Sequence, residues 1–332
     1  MAYKPNMEDI KKLRTMTGAG LADVKKALTD AEGDFNKAME VIREKGQAIA
    51  AKRSDRETSN GCVLVKAVDG FAAIVALKCE TDFVANGADY IKLTQDILDA
   101  AVAAKAKSLD EVKALAIADG TNVQDAVVAR SGITGEKMEL DGYNFIEGDN
   151  VEIYDHMGKH TLCTMVQTNK AAEEQAHAIA MQVAAMKPMF LDEASVSQEF
   201  IEEEKKVAAE KTKQELVQKA VDAALKKAGI NPAHVDSEEH MESNMGKGWI
   251  TAEDVAKAKE IIATVSAEKA ANLPAQMIEN IVKGRINRIY KENCLLNQEF
   301  IQDSKLSVAD YLKAADKDLT VVDYKRFSLS AD

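Results

Sequence analysis

The spacing of apolar residues changes along this chain from a helical period to strand alternation and back, and this change limits the available folds. Within residues 8–46 the apolar positions recur at helical spacing, with breaks at Thr17-Gly18-Ala19-Gly20 and Glu32-Gly33-Asp34. Residues 63–77 instead form two alternating runs on either side of Asp69-Gly70, the pattern of a β-hairpin. The sequence therefore predicts an α+β protein that begins with three short helices.

A strand, strand, helix pattern occurs twice after these helices. In chain order, the predicted elements are the hairpin over 63–77, a loop over 81–89, a helix over 90–104, a helical connection through 109–131, strands near 151–154 and 162–166, and a helix over 171–186. Because the order of elements repeats, the sequence predicts two related α+β subdomains with antiparallel strands.

The stretch over residues 196–228 differs from both copies, since its apolar residues form a sparse seam between dense charges. At about 1.5 Å per residue such a helix would be roughly 50 Å long. Gly229 and Pro232 interrupt it, and residues 255–265 begin a second amphipathic helix. Neither helix buries its seam alone, so we expect an antiparallel helical hairpin of the coiled-coil type.

These patterns divide the chain into parts with different periods. Aromatic residues make up only 5% of the chain and there are four prolines, which favours a helix-rich α+β fold. The predicted parts are a three-helix module with its linker at 1–54, a first core α+β subdomain at 55–140, a second core α+β subdomain at 141–195 and 284–332, and an inserted helical hairpin at 196–283.

Charge and composition exclude several classes of function. The 43 Lys and Arg against 55 Asp and Glu give a net charge of −12, so we expect no direct binding to nucleic acid. The longest apolar run is far shorter than the ~20 residues of a membrane-spanning helix. Residues 1–10 are polar and show no signal peptide pattern. Four widely separated cysteines fit a reducing compartment, and we expect a cytoplasmic protein.

Few residues suggest catalytic or metal chemistry. Gly18-Ala19-Gly20 lacks the preceding strand of a phosphate loop and is better explained as a tight turn between helices. His156 and His160 straddle a glycine-containing turn without a third ligand nearby, so we predict neither a metal nor a cofactor. None of the four cysteines has a local nucleophile pattern, and we predict no catalytic residue. The cysteines are Cys62, Cys79, Cys163 and Cys294.

The segment over residues 80–87 is the most informative one for function. It follows an apolar strand and places Phe83 and Val84 beside Asp82, shortly before a helix. In one interpretation Phe83 packs under its own subdomain and Asp82 caps the turn. In the other, Phe83 is an exposed hydrophobic wedge with a charge beside it. Composition alone favours the first interpretation.

Residues 79–86, Cys-Glu-Thr-Asp-Phe-Val-Ala-Asn, resemble a motif of the bacterial elongation factor Ts family. Three further segments resemble the same family in the same order along the chain. They are Leu13-Arg14 to Leu28, Ala178-Ile179-Ala180-Met181 to Lys187-Pro188, and Gly284-Arg285 with Cys294-Leu295-Leu296-Asn297-Gln298. Together they span nearly the whole chain, so the sequence is identified as a member of this family.

The resemblance implies a guanine nucleotide exchange factor for elongation factor Tu, with no covalent chemistry of its own. It implies that an exchange wedge enters the nucleotide domain of the partner and perturbs its magnesium site and phosphate loop. It also implies that the N-terminal module is similar to ubiquitin-associated domains. The implied partner-binding residues are Thr81, Asp82, Phe83 and Val84 in the exchange wedge, Arg14, Leu21, Ala22 and Lys25 in the N-terminal module, and His177, Ala178 and Met181 in the second subdomain.

Two other classes of function stay open from the sequence. A ubiquitin-type adaptor would depend on the N-terminal module alone, and a cysteine-dependent enzyme would require one reactive thiol. The sequence also leaves open whether the complex with elongation factor Tu is a simple pair or a dimer of heterodimers.

Overall fold

The computed structural model describes residues 3–118 and 120–330. The ends of the predicted parts at 1–54 and 284–332, together with Asp119 in the predicted connection, therefore lie partly outside the described residues. The chain forms two compact units. One comprises the chain up to Leu191 together with the part from Glu299 onward, and the other is Asp192–Gln298. Each unit contains buried apolar clusters of its own.

The chain begins with three helices, as the helical spacing predicts. They are α1 (Met7–Thr17), α2 (Leu21–Asp30) and α3 (Phe35–Lys52). Leu13, Val24 and Leu28 are fully buried in a small core between them. The break after Thr17 is a tight turn, because Gly18 ends α1 with a φ of 68° that favours glycine. The similarity of this module to ubiquitin-associated domains stays a prediction.

A three-stranded antiparallel sheet follows, in the order β1-β2-β3. Its elements and the helices that cover it are β1 (Asn60–Val68), β2 (Phe71–Cys79), α4 (Asp82–Ala85), α5 (Ala88–Ala104), α6 (Leu109–Ala114), α7 (Val123–Thr134) and β3 (Met138–Glu147). The predicted hairpin around Asp69-Gly70 is confirmed, with Val68 opposite Phe71. The strand β3 is an element that the apolar pattern does not predict.

The second sheet begins in the same way, with two antiparallel strands and a helix. These are β4 (Val151–Asp155), β5 (Leu162–Thr168) and α8 (Glu173–Met186). They match the predicted second copy of the strand, strand, helix pattern. The helix α8 packs on β4 and β5 through a face in which Ile179, Ala180 and Val183 are fully buried.

The helical unit, Asp192–Gln298, contains the predicted hairpin and one further long helix. Its helices are α9 (Gln198–Lys227), α10 (Glu238–Gly246), α11 (Ala252–Ala271) and α12 (Ala275–Asn293). Antiparallel α9 and α11 share a buried cluster that includes Leu225 and Ala258. The helix α12 also packs on α9, where Arg285 Nη2 lies 2.7 Å from Glu215 Oε2. The unit therefore reaches beyond the 196–283 of the predicted hairpin, whereas the four-part division stays a prediction.

The last segment returns to the first unit and completes the second sheet. It contains β6 (Glu299–Phe300), β7 (Asp303–Ser307), α13 (Val308–Ala315) and β8 (Val321–Ser328). The strand β8 pairs with β5, so the order is β4-β5-β8. The fold is thus a helix-rich α+β fold with small antiparallel sheets.

The strand β2 is buried on both faces, which places it at the centre of the first unit. Phe71 and Leu77 point into a core formed with α5, α6 and α7, whereas Ile74 points into a second core with Cys163 and Met165 of β5. Because successive side chains of a strand face opposite sides, one apolar run fills both cores. The end of β2 is therefore fixed from two sides, and α4 begins three residues after it.

Candidate functional site

The residues predicted as a loop over 81–89 form a one-turn helix, α4, followed closely by α5. Thr81 is the N-cap, and its Oγ1 accepts a hydrogen bond of 3.4 Å from the Val84 N–H. The loop prediction was wrong because it ignored a local helix signal, a threonine followed by an aspartate in the first turn. Thr81, rather than Asp82, caps this turn.

Phe83 is 87% exposed on α4, the largest value among the exposed large apolar side chains of the described chain. Asp82 beside it is also exposed. Val84 is half-buried against the first core and Ala85 is buried, so the opposite face of the turn is anchored. The interpretation in which Phe83 packs under its own subdomain is therefore wrong for the free chain.

The base of α4 is held by hydrogen bonds from several directions. Asn86 Nδ2 donates to the Asp82 carbonyl at 2.9 Å, and Cys79 Sγ donates to the Thr81 carbonyl at 3.2 Å. Beneath them, the buried Tyr90 hydroxyl donates to the Leu77 carbonyl at 2.7 Å. These contacts fix the backbone of the turn while Phe83 projects from it.

Ion pairing fixes the residue before the wedge. Arg53 Nη1 lies 2.8 Å from both carboxylate oxygens of Glu80, and the Lys137 N–H donates to Glu80 at 2.6 Å. The Lys137 hydrogen bond, helped by Arg53 and opposed by burial, holds the pKa of Glu80 below its usual value. The sequence gives no signal for Arg53 and Glu136, because their contacts join distant parts of the chain, and it does not show the partners of Glu80, which stands in the family motif.

A groove of about 330 Å³ runs beside Phe83 and connects the wedge to α7. Its lining includes Asp89, Arg130 and Thr134, and Arg130 Nη1 lies 3.4 Å from Asp89 Oδ2. Such a groove provides both apolar and charged contacts next to the exposed aromatic ring.

The predicted N-terminal contact residues lie on exposed surfaces of α1 and α2. Leu21 is 52% exposed, and Arg14, Ala22 and Lys25 are exposed as well. The turn before α2 lies against α7, since a Cβ built on Gly18 would be 3.5 Å from Ile133 Cδ1. The same end of α7 lines the groove beside Phe83. The turn between α1 and α2 and the turn that carries Phe83 thus both lie near the C-terminal end of α7.

The third predicted set, on α8, lies against the second sheet. His177 Nδ1 is 3.0 Å from Glu152 Oε1, and its ring makes an edge contact with Tyr154 at a centroid distance of 5.6 Å. Met181 is half-buried, whereas Ala178 is only 5% exposed. Only His177 and Met181 of this set therefore present surface, and the apolar spacing of α8 could have shown that Ala178 faces inward.

The four cysteines are buried, and His160 of the predicted turn has a carboxylate partner. Burial raises the pKa of Cys62 to about 12 and that of Cys294 to about 11. A nucleophilic cysteine needs the opposite shift. The His160 ring is bound to Asp155 at 2.5 Å. Among the described residues no group of three possible metal-ligating side chains occurs.

The helices were also compared with the requirements for crossing a membrane. Within residues 3–118 and 120–330, no helix combines the length and the apolar character needed to cross a membrane.

Comparison with known proteins identifies the family to which this chain is similar. The family model described as Elongation factor TS matches residues 80–228 and 218–331. Two proteins named Elongation factor Ts are similar to this chain over 327 residues, which is 98% of this chain and 99% of each relative. The one from Bacteroides fragilis is 68% identical to this chain, and the one from Bacteroides thetaiotaomicron is 66% identical. The one from Porphyromonas gingivalis is 42% identical over 98% of both chains.

These features define a translation elongation factor of the nucleotide exchange class. The chain belongs to the elongation factor Ts family.

Proposed function

We propose that this chain binds elongation factor Tu and promotes release of GDP by inserting the exchange wedge, residues 81–84, at the magnesium and phosphate site of the partner. The observation that carries this proposal is the 87% exposure of Phe83 on an anchored helical turn. An exposed phenylalanine gains about 1.5–3 kcal/mol when it is buried, and here that gain is available only on binding. Family membership supports the choice of partner.

The exchange step follows from linkage rather than from covalent chemistry. A protein that binds the nucleotide-free partner best weakens nucleotide binding by the same factor as nucleotide weakens its own binding. Moving such an equilibrium from 1:99 to 99:1 takes about 5.5 kcal/mol of differential affinity. This is more than Phe83 alone supplies, so further contacts must contribute.

The wider interface in this proposal uses the other exposed predicted residues. Arg14, Leu21, Ala22 and Lys25 contact the nucleotide domain of elongation factor Tu near the wedge; the contact of Gly18 with Ile133 of α7, whose Arg130 and Thr134 line the groove beside Phe83, supports this. His177 and Met181 make a separate contact from α8, where Tyr154 and Glu152 orient the imidazole. Ala178 contributes through packing of α8, since it is buried.

The remaining parts of the proposal follow from charge and composition. The net charge of −12 disfavours direct contacts with nucleic acid. The four widely separated cysteines fit a reducing compartment, in agreement with action in the cytoplasm. Whether two such heterodimers associate is tested by measuring the mass of the complex in solution.

The test is release of labelled GDP from elongation factor Tu with catalytic amounts of this chain. We expect acceleration by the wild type and about tenfold to hundredfold slower release with Phe83→Ala, which corresponds to the loss of one buried phenylalanine. Trp249→Ala is the matched control, because it removes a 62% exposed aromatic side chain from the helical unit. No acceleration by the wild type at any ratio would refute the proposed function.

A further inference from the structure

Two carboxylates tie the start of the wedge to the segment that precedes β3. Backbone pairing of β2 with β3 ends at Cys79 and Met138. Beyond that point, Glu80 accepts a hydrogen bond from the Lys137 N–H at 2.6 Å, and Glu136 accepts one from the Thr81 N–H at 3.1 Å. The two side chains thus extend the ladder reciprocally. We call these four residues, Glu80, Thr81, Glu136 and Lys137, the carboxylate clamp.

Glu136 makes a second contact that reaches the wedge itself. Its Oε1 accepts a hydrogen bond of 2.7 Å from the Thr81 hydroxyl, which in turn accepts the Val84 N–H. When a hydroxyl donates its hydrogen to a carboxylate, its lone pairs point away from that carboxylate. The lone pairs of the Thr81 hydroxyl therefore face the first turn of α4. Glu136 therefore orients the N-cap of the helix that carries Phe83, through a charge-assisted hydrogen bond.

The backbone of Glu136 is itself fixed by the end of α7. Gly135 ends α7 with a φ of 74°, and the Glu136 N–H donates to Thr134 Oγ1 at 3.3 Å. The Ser131 hydroxyl donates to the Glu136 carbonyl. The position of the wedge thus depends on α7, the helix against which the N-terminal module lies.

We propose that Glu136 is a positioning residue for nucleotide exchange, which holds the N-cap of α4 so that Phe83 faces outward before the partner arrives. This inference rests on the proposed function, but its first effect is on the free chain. Nothing in the sequence around Glu136 indicates this role, since Thr81 is 55 residues away.

The first test uses hydrogen exchange of the free chain at the Val84, Ala85 and Asn86 amides. In Glu136→Ala we expect exchange about tenfold faster at these amides, the size of one lost hydrogen bond to a charged group, and no change at Ile74 in β2. Glu136→Gln keeps one acceptor oxygen and should lie between. The matched control is Glu147→Ala, which removes a carboxylate from the far end of β3, where it forms an exposed ion pair with Lys107. If the α4 amides of Glu136→Ala exchange no faster than those of Glu147→Ala, the inference is overturned.

The second test separates positioning from loss of folded protein. We expect Glu136→Ala to lower the saturating rate of GDP release about tenfold, with little change in the concentration that gives half of that rate. Partial unfolding would instead shift that concentration and leave the saturating rate intact. Adding Phe83→Ala to Glu136→Ala should cost less than the product of the two single effects, because both act on one contact.

The outcomes distinguish this inference from the proposed function. Independent, multiplying effects of the two substitutions would overturn the role of Glu136 while leaving the wedge in place. If the wild type does not accelerate GDP release, the proposed function fails, and hydrogen exchange at α4 alone decides whether Glu136 positions the helix.

Discussion

The first and second sheets have the same neighbour order but differ in the segment that comes after the central strand. In the first sheet, β2 leads into α4, which exposes Phe83. In the second, β5 leads into Asn169, whose side chain donates to the Asp318 carbonyl at 2.7 Å and accepts from the Thr320 N–H at 3.0 Å. One copy presents an aromatic ring to solvent, and the other is hydrogen-bonded to the segment that leads into its own third strand.

The comparison shows that this arrangement of strands does not by itself require an exposed aromatic residue. In the second sheet, both polar groups of the Asn169 side chain form local hydrogen bonds with the segment before β8. The first sheet uses Glu80 and Glu136 in a comparable way but leaves the next turn projecting. Exposure of Phe83 is thus a specific property of the first copy, as expected for a binding element.

The largest expected effect is a difference in stability between variants of two phenylalanines, Phe71 in β2 and Phe83 on α4. Phe71 is fully buried and stacks on Phe145 at 5.7 Å, so Phe71→Ala should lower the free energy of unfolding by about 3–5 kcal/mol. Phe83→Ala should change it by no more than about 0.5 kcal/mol, as for a surface site. Urea unfolding of both variants measures this. A large loss for Phe83→Ala would mean that the ring packs inside the free protein.

A smaller effect on stability is expected at Asn169, whose hydrogen bonds join β5 to the segment before β8. Asn169→Ala removes two hydrogen bonds and should lower the free energy of unfolding by about 1–2 kcal/mol. GDP release from elongation factor Tu should be unchanged, because the wedge belongs to the other sheet. Lys170→Ala is the control, since its exposed ion pair with Asp316 contributes little to stability. Slower GDP release with Asn169→Ala would indicate that the two sheets are functionally coupled.

The smallest expected effect concerns pH and the first sheet alone. The pKa of Glu80 is lowered in the folded chain, so its stabilising contribution is present above the usual value of 4.5 and is lost as the pH falls through the folded value. The wild type should therefore be more stable than Glu80→Gln near neutral pH, and the difference should shrink as the pH falls below 4.5. Unfolding curves of both proteins across this range check it. A difference that is constant with pH would exclude a charge contribution from Glu80.

Local patterns in the sequence were sufficient for much of the fold. The β1–β2 hairpin follows from alternation around Asp69-Gly70, and Gly70 has the positive φ that such a turn requires. The helices α9 and α11 follow from apolar spacing and from the breaks between them. Periodicity and turn residues act within a few positions of the chain, so they can be interpreted without knowledge of the partners in space.

The sequence did not predict β3 because its reason for being a strand is remote. A Cβ built on Gly142 would lie 2.2 Å from the Phe327 ring, so the strand is shaped by a residue near the other end of the chain. In the same way, α12 packs on α9, where Arg285 pairs with Glu215, a residue 70 positions away in the chain. Contacts between such distant segments cannot be predicted from local spacing.

The wedge shows the same division within one site. The sequence alone determined its motif, its place after an apolar strand and its family, since these depend on neighbouring residues. Whether Phe83 is buried or exposed was open from the sequence and was decided only by the tertiary structure. Arg53, Glu136 and Lys137 approach from other parts of the chain and fix the backbone around α4. Ala85 is buried beneath the turn, and the ring of Phe83 on its other side faces solvent because no other segment of the described chain covers it.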